Sequence, residues 1–342
     1  MNKVKKWLFI SLLISLVSGL IVVLVTFDAG TIDALLSIRP EFILAGILLH
    51  ALSYLVWGMR IRALCQSLGH RIGVLRSVEI VTSGSFAASI TPSSLGGEPV
   101  RIHLLHLDRV PLGKASAVVI GERVLDGIFI LSLAPFSMYV FSRILDNPTF
   151  DVLVSLAEIF LLGILFLSLY AIWRPEQTKK LAHLVVRKIA PLVGTKTDAK
   201  LEGILERVDS ELENFHNSVA FFVKEDRKGL LIGVFYTLLF WLVEFSLLYV
   251  ILLGLNQYPD ILVVFASQVL VMVLMAIPAT PGASGMAEFG ATTIFSVFVS
   301  SSLLGITVVA WRALTFYMNL IVGSFVSFRI LKDTEFMKKY LR

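Results

Sequence analysis

The chain has 342 residues, of which 56% are hydrophobic and only 16% charged, with a formal net charge of +5. Soluble domains carry about 25% charged residues, so composition excludes an ordinary soluble protein and points to an all-α, polytopic integral membrane protein. A β-barrel would instead show short alternating segments, and the lone Cys65 excludes an intramolecular disulfide or a Cys-based zinc site.

Lys3, Lys5 and Lys6 place the N-terminus in the cytoplasm, because basic residues favour the inner face. The uncharged run from Trp7 to Phe27 is long enough for a first span, which needs about 20 apolar residues. It is longer than a typical signal-peptide core. The segment 28–40 then reads as an external loop, and a second helix over 42–59 returns inward. Arg60, Arg62, Arg71 and Arg76 follow as a basic, cytoplasmic connection. The basic residues lie mostly in such connections, so the positive charge is no sign of nucleic-acid binding.

Residues 77–92 are apolar but short, and they run into "ITPSSLGGEPVRI" and then the basic "RIHLLHLDRVPLGK". Both flanks read as cytoplasmic, so one simple crossing does not fit. The economical solution is a re-entrant helical hairpin over about 77–107, turning at Thr91-Pro92. Such irregular backbone at membrane depth must be buried in protein or face a wet cavity. A span over 115–141 runs outward, and another over 152–173 comes back.

The stretch 174–228 mixes both signs of charge with helical spacing of apolar residues. It reads as a cytoplasmic linker of amphipathic helices at the inner membrane surface. A span over 229–253 goes outward. A second broken hairpin occupies about 261–299, around "TPGASGM", and a last span over 303–329 ends in a basic, cytoplasmic tail.

The break therefore recurs. Thr91, Pro92 and Gly96 match Thr280, Pro281 and Gly285, each 189 residues on (280 − 91 = 189). Arg123 and Arg312 keep the same offset (312 − 123 = 189). Residues 41–141 and 229–330 thus read as two repeats within a single membrane domain, 1–342. Three crossings separate their starts, so the repeats are inverted. Inverted repeats with discontinuous helices are a transporter architecture.

Charged residues inside apolar helices need a reason, since each costs about 2.5–3.5 kcal/mol at a helix centre. "GERVLDG" gathers Glu122, Arg123 and Asp126. Arg123 suits a phosphate because its planar fork donates two parallel hydrogen bonds. A buried ion-pair cluster that only fixes helix packing is the alternative. Arg312 has no acid within four residues, leaving Glu288 and Glu244 as candidate partners. Glu98 and Glu288 follow the two turns, where a helix N-terminus stabilises a carboxylate. The backbone N–H groups of Gly96, Gly97 and Gly285 are candidate phosphate donors, and Arg101 lies beside them. The spacing His103-x4-Asp108 matches an acyltransferase dyad but stands alone. The sequence points to no metal and no cofactor.

At "TPSSLGGEPVR", "GERVLDG", "TPGASGMAEFG" and "WRALTF" the chain resembles the transmembrane region of the lysylphosphatidylglycerol synthetase/flippases and of many small prokaryotic membrane proteins. The resemblance covers about residues 5–332. In the bifunctional relatives this region is the flippase half; other relatives are associated with polyprenyl-phosphate glycosylation pathways. The resemblance implies a lipid translocase of the cell membrane, acting on a phospholipid or polyprenyl-phosphate headgroup, with no soluble aminoacyl-transferase domain. A membrane-embedded transferase, an ion-coupled small-solute transporter and a homodimeric assembly stay open as alternatives.

Overall fold

The computed structural model of the chain describes residues 3–91, 96–145, 174–189, 224–275, 280 and 282–340, with scattered positions between 163 and 220. Pro92, Pro281, most of the expected span over 152–173 and part of the linker lie outside the described residues.

Among the described residues all regular structure is helical. The helices are α1 (Lys3–Thr26), α2 (Ala29–Leu36), α3 (Pro40–Ser67), α4 (Val74–Ile90), α5 (Gly97–Leu107), α6 (Leu112–Leu145), α7 (Pro175–Ile189), α8 (Arg227–Gly254), α9 (Ile261–Met275), α10 (Met286–Phe295), α11 (Ser301–Arg312) and α12 (Met318–Tyr340). A π-helical turn, Ala313–Tyr317, joins α11 to α12. Among the described residues, four stretches are long and apolar enough to cross a bilayer: 40–67, 112–141, 227–254 and 301–330. The protein is an integral, multi-pass, all-α membrane protein.

Two sequence expectations shift. The loop 28–40 contains α2, whose start is tied by the Thr31 N–H donating to Asp28 Oδ1 at 3.0 Å. The helix expected over 42–59 begins at Pro40, a residue suited to a first helical turn, and runs on to Ser67. Arg60 therefore lies inside a helix rather than in a connection.

The ends of α3, α5 and α8 share one device. Gly69, Arg109 and Asn256 adopt positive φ (84°, 65° and 57°). The next amide reaches back to a carbonyl in the last turn: His70 to Cys65 at 2.9 Å, Val110 to Leu105 at 3.1 Å and Gln257 to Leu252 at 2.8 Å. This is the Schellman stop, which satisfies carbonyls a helix end would otherwise orphan.

Element starts recur along the chain. Helices α5 and α6 start at 97 and 112, and α10 and α11 start 189 residues later, at 286 and 301 (286 − 97 = 189; 301 − 112 = 189). Helices α3 and α4 start at 40 and 74, and α8 and α9 follow 187 residues later, at 227 and 261 (227 − 40 = 187; 261 − 74 = 187). Packing is reciprocal too. Helices α3 and α8 make the largest helix–helix contact, α4 lies against α12, and α9 lies against α6.

Each half has its own apolar core. Ile61, Leu64, Ile80, Leu105 and Val118 fill the first, and Leu248, Leu252, Val264, Phe295 and Trp311 the second. Helices α4 and α5 form a tight hairpin: a Cβ on Gly97 would sit 3.0 Å from the Gly84 carbonyl oxygen, and one on Gly84 would strike the Arg101 side chain. The two turns also touch, with the Gly282 N–H pointing at the Thr91 carbonyl at 3.4 Å.

Candidate functional site

The polar interior of the first half is assembled from four helices. On α6, Glu122 and Asp126 are both buried. Arg60 of α3 holds both: its Nε donates to Glu122 Oε1 at 2.7 Å, and its Nη1 to Asp126 Oδ1 at 2.7 Å. From α8, Thr237 Oγ1 accepts from Arg60 Nη1 at 3.1 Å, and Trp241 Nε1 donates to Asp126 at 3.1 Å. Arg101 of α5 donates through Nη1 to the other Glu122 oxygen at 2.7 Å.

Arg60 was assigned by sequence to a cytoplasmic connection, and that reading is corrected: it is fully buried at the centre of the network. Proximity to Asp126 suggested Arg123 as its partner, but Arg123 approaches it only at 3.9 Å. The Nε of Arg123 instead donates to Glu98 Oε1, in the first turn of α5, at 2.5 Å. The side chain of Arg123 is 41% exposed, against 3% for Arg312.

Several buried polar atoms here lack a hydrogen-bond partner. They are Arg101 Nε, Arg101 Nη2, Trp57 Nε1 and Glu98 Oε2, although Arg101 Nη2 stands 3.7 Å from Glu98 Oε1 as an ion pair. The guanidinium carbons of Arg101 and Arg123 lie 5.0 and 5.9 Å from the Trp57 ring centroid, in cation–π range. Each unsatisfied buried donor costs about 1–3 kcal/mol. The three donors belong to two side chains stacked on each other. An oxygen-rich anion matches them, with Arg123 at its exposed flank. Formal charges in the network cancel: Arg60, Arg101 and Arg123 against Glu98, Glu122 and Asp126.

The second arginine stands in a separate group. Arg312 Nε donates to Glu288 Oε1 at 2.9 Å. Ser15 of α1 donates to the same oxygen at 2.5 Å, and the Gly285 N–H donates to Glu288 Oε2 at 2.6 Å. Phe316 lies under the guanidinium, 4.0 Å away. Glu288, not Glu244, is thus the partner of Arg312. Arg123 and Arg312 share no partner among the described residues. In both halves, however, an arginine on the helix after the hairpin grips a glutamate in the first turn of the hairpin's second helix.

The turn residues act locally. Thr91 Oγ1 donates to Ala87 O at 2.8 Å and accepts the Gly96 N–H at 2.9 Å. Thr280 Oγ1 donates to Ser284 O at 2.6 Å. The N–H groups of Gly96 and Gly285 are therefore engaged internally, and the role visible for Gly97 is close helix packing. Asp108 is paired with Arg76 at 2.8 Å, and His103 is exposed, so the acyltransferase spacing does not form a dyad. No cluster of metal-ligating side chains occurs among the described residues.

Sequence reading missed Arg60, Trp57 and Ser15. Only the persistence of helical pattern beyond residue 60 could have signalled Arg60.

Comparison with known proteins gives one consistent picture. The chain is 30% identical over 301 residues to a UPF0104 membrane protein of Archaeoglobus fulgidus, covering 87% of this chain and 89% of the relative. A UPF0104 membrane protein of Methanocaldococcus jannaschii is 23% identical over 311 residues, covering 90% of each chain. One from Methanothermobacter thermautotrophicus is 25% identical over 300 residues, covering 85% and 86%. Residues 8–323 match the family described as the lysylphosphatidylglycerol synthase TM region. The chain belongs to that family of membrane proteins.

Proposed function

We propose that this protein is a lipid translocase of the cell membrane, passing a phosphate-bearing headgroup through a polar cleft while the tails stay in lipid. The observation that carries the reading is the set of buried donors on Arg101 and Trp57 that lack a hydrogen-bond acceptor, beside the exposed Arg123. They suit the phosphate of a phospholipid or polyprenyl phosphate. Because the surrounding charges already cancel, an incoming phosphate meets donors without a large net positive charge. Transport needs that balance, since a site must be attractive enough to enter and weak enough to leave.

On this reading the two helical hairpins are re-entrant, the two halves are inverted repeats, and both termini are cytoplasmic. The recurrent element starts and reciprocal packing support the repeat. The lysines before the first span support the orientation. The exposed Glu98–Arg123 pair and the sealed Glu288–Arg312 pair then correspond to a conformation open on one side. The family name, taken from a lysylphosphatidylglycerol synthase, supports a lipid substrate.

The test is a sealed-vesicle accessibility assay. Proteoliposomes carry a phospholipid, or in a parallel arm a polyprenyl phosphate, with a fluorescent headgroup. Loss of signal to a membrane-impermeant quencher reports exchange between leaflets. Wild-type protein should accelerate exchange, and Arg123→Ala and Arg312→Ala should abolish it. Full exchange in both variants removes the headgroup role. Formation of a new lipid product in detergent, without compartments, would replace translocation with group transfer.

A further inference from the structure

One buried titratable group takes no part in the arginine networks. His50, on α3, is 2% exposed, and neither ring nitrogen has a hydrogen-bond partner. The groups facing it come from three helices. Glu244 of α8 lies 3.8 Å from Nδ1. Tyr54 of α3 stacks edge-on at 4.6 Å. Asn319 of α12 accepts the Tyr54 hydroxyl through Oδ1. Glu244 is 19% exposed, so the site has one open edge.

The surroundings connect this site to the second arginine. Asn319 Nδ2 donates to Thr315 O, inside the π-turn, at 2.5 Å. Phe316 in the same turn lies beneath Arg312. The Tyr317 hydroxyl is 3.0 Å from Ser15 Oγ, which donates to Glu288. The corresponding stretch of α6 is ordinary α-helix, so the π-turn belongs to the second half alone. Single π-turns within α-helices are rare and gather at functional sites.

We propose that His50 and Glu244 form a proton-binding site whose occupancy the π-turn transmits to the Arg312–Glu288 pair. Neutral imidazole offers one donor and one acceptor; imidazolium offers two donors. A proton entering from the Glu244 edge binds the ring nitrogen that carries no hydrogen, and no covalent bond is broken. The new donors need acceptors, and those at hand are the Glu244 carboxylate and Asn319 Oδ1. The second is occupied by Tyr54. Protonation therefore draws Asn319 from Tyr54 toward the ring and alters its grip on Thr315. That shifts the turn bearing Phe316 and Tyr317. The consequence for transport, protons as the coupling ion, rests on the proposed function; the site and its link to the turn do not.

The test is hydrogen–deuterium exchange of the full chain in phospholipid nanodiscs, corrected for intrinsic chemical rates. Between about pH 5.5 and about pH 8, the range where histidine titrates, exchange across 311–320 should change at least about threefold in wild type. It should be flat in His50→Gln and Glu244→Gln. Tyr54→Phe, which releases Asn319, should raise exchange at pH 8 toward the acidic value. A flat wild-type profile, or an undiminished response in whichever of these variants elutes as a folded particle, overturns the site. None of these readouts requires lipid to move. A pH response without leaflet exchange keeps the proton site and removes the translocase; leaflet exchange with a flat profile does the reverse.

Discussion

The Gly282 amide points at the Thr91 carbonyl from 3.4 Å, so the turns of the two hairpins meet. Gly282 has φ +59°, and a Cβ there would fall 2.6 Å from both Ser89 O and the Phe316 ring. Gly282→Ala should therefore lower stability by about 1–3 kcal/mol through overpacking, and more than Gly69→Ala. Gly69 has φ +84° but open space around it, so only backbone strain applies. Thermal unfolding of the two variants in detergent checks the order.

Removing Arg60 leaves Glu122 and Asp126 buried with their main partner gone. Arg60→Met should cost about 3–5 kcal/mol, the scale for breaking a buried ion pair. Adding Glu122→Gln and Asp126→Asn should recover much of that loss, because the uncompensated charges vanish. Unfolding midpoints of the single and triple variants measure the recovery.

Arg123 behaves differently because its pair is exposed. Exposed ion pairs contribute about 0–1 kcal/mol, so Arg123→Ala and Glu98→Gln should unfold close to wild type. Leaflet exchange should nevertheless be lost in Arg123→Ala. Arg312→Ala, which strands the buried Glu288, should lose both stability and exchange. Measuring the two properties side by side separates a binding arginine from a packing one.

Trp57 carries a donor and a ring face at the same site. Trp57→Phe keeps a face for Arg101 and Arg123 but removes Nε1–H. One neutral hydrogen bond contributes about 0.5–1.5 kcal/mol. The half-saturating lipid fraction in the vesicle assay should therefore rise by about threefold to tenfold. Trp57→Leu removes the face as well and should raise it further.

The all-α membrane class and the broken segments were legible because apolar run length and Thr-Pro-Gly composition are local signals. The offset between Arg123 and Arg312 was legible for the same reason. Partner choice was not. Arg60 closes an apolar run and precedes three more arginines, so one-dimensional reading placed it among them. In the structure α3 runs on to Ser67 and buries Arg60 in the interior. Glu244 could be assigned to Arg312 or to nothing; its meeting with His50 depends on how α3 and α8 cross. Orphaned atoms on Arg101 and Trp57 are a property of three-dimensional packing and leave no trace in residue order.

The exchange of partners between halves bears on how the chain is made. Helix α4, rich in serine, beds against α12, which is translated after all the other described helices. Until then the early hairpin lacks one wall of its cradle and exposes polar side chains that α12 later covers. Membrane insertion must therefore outrun final assembly, and severing the chain between the halves should leave two fragments that mature only when produced together.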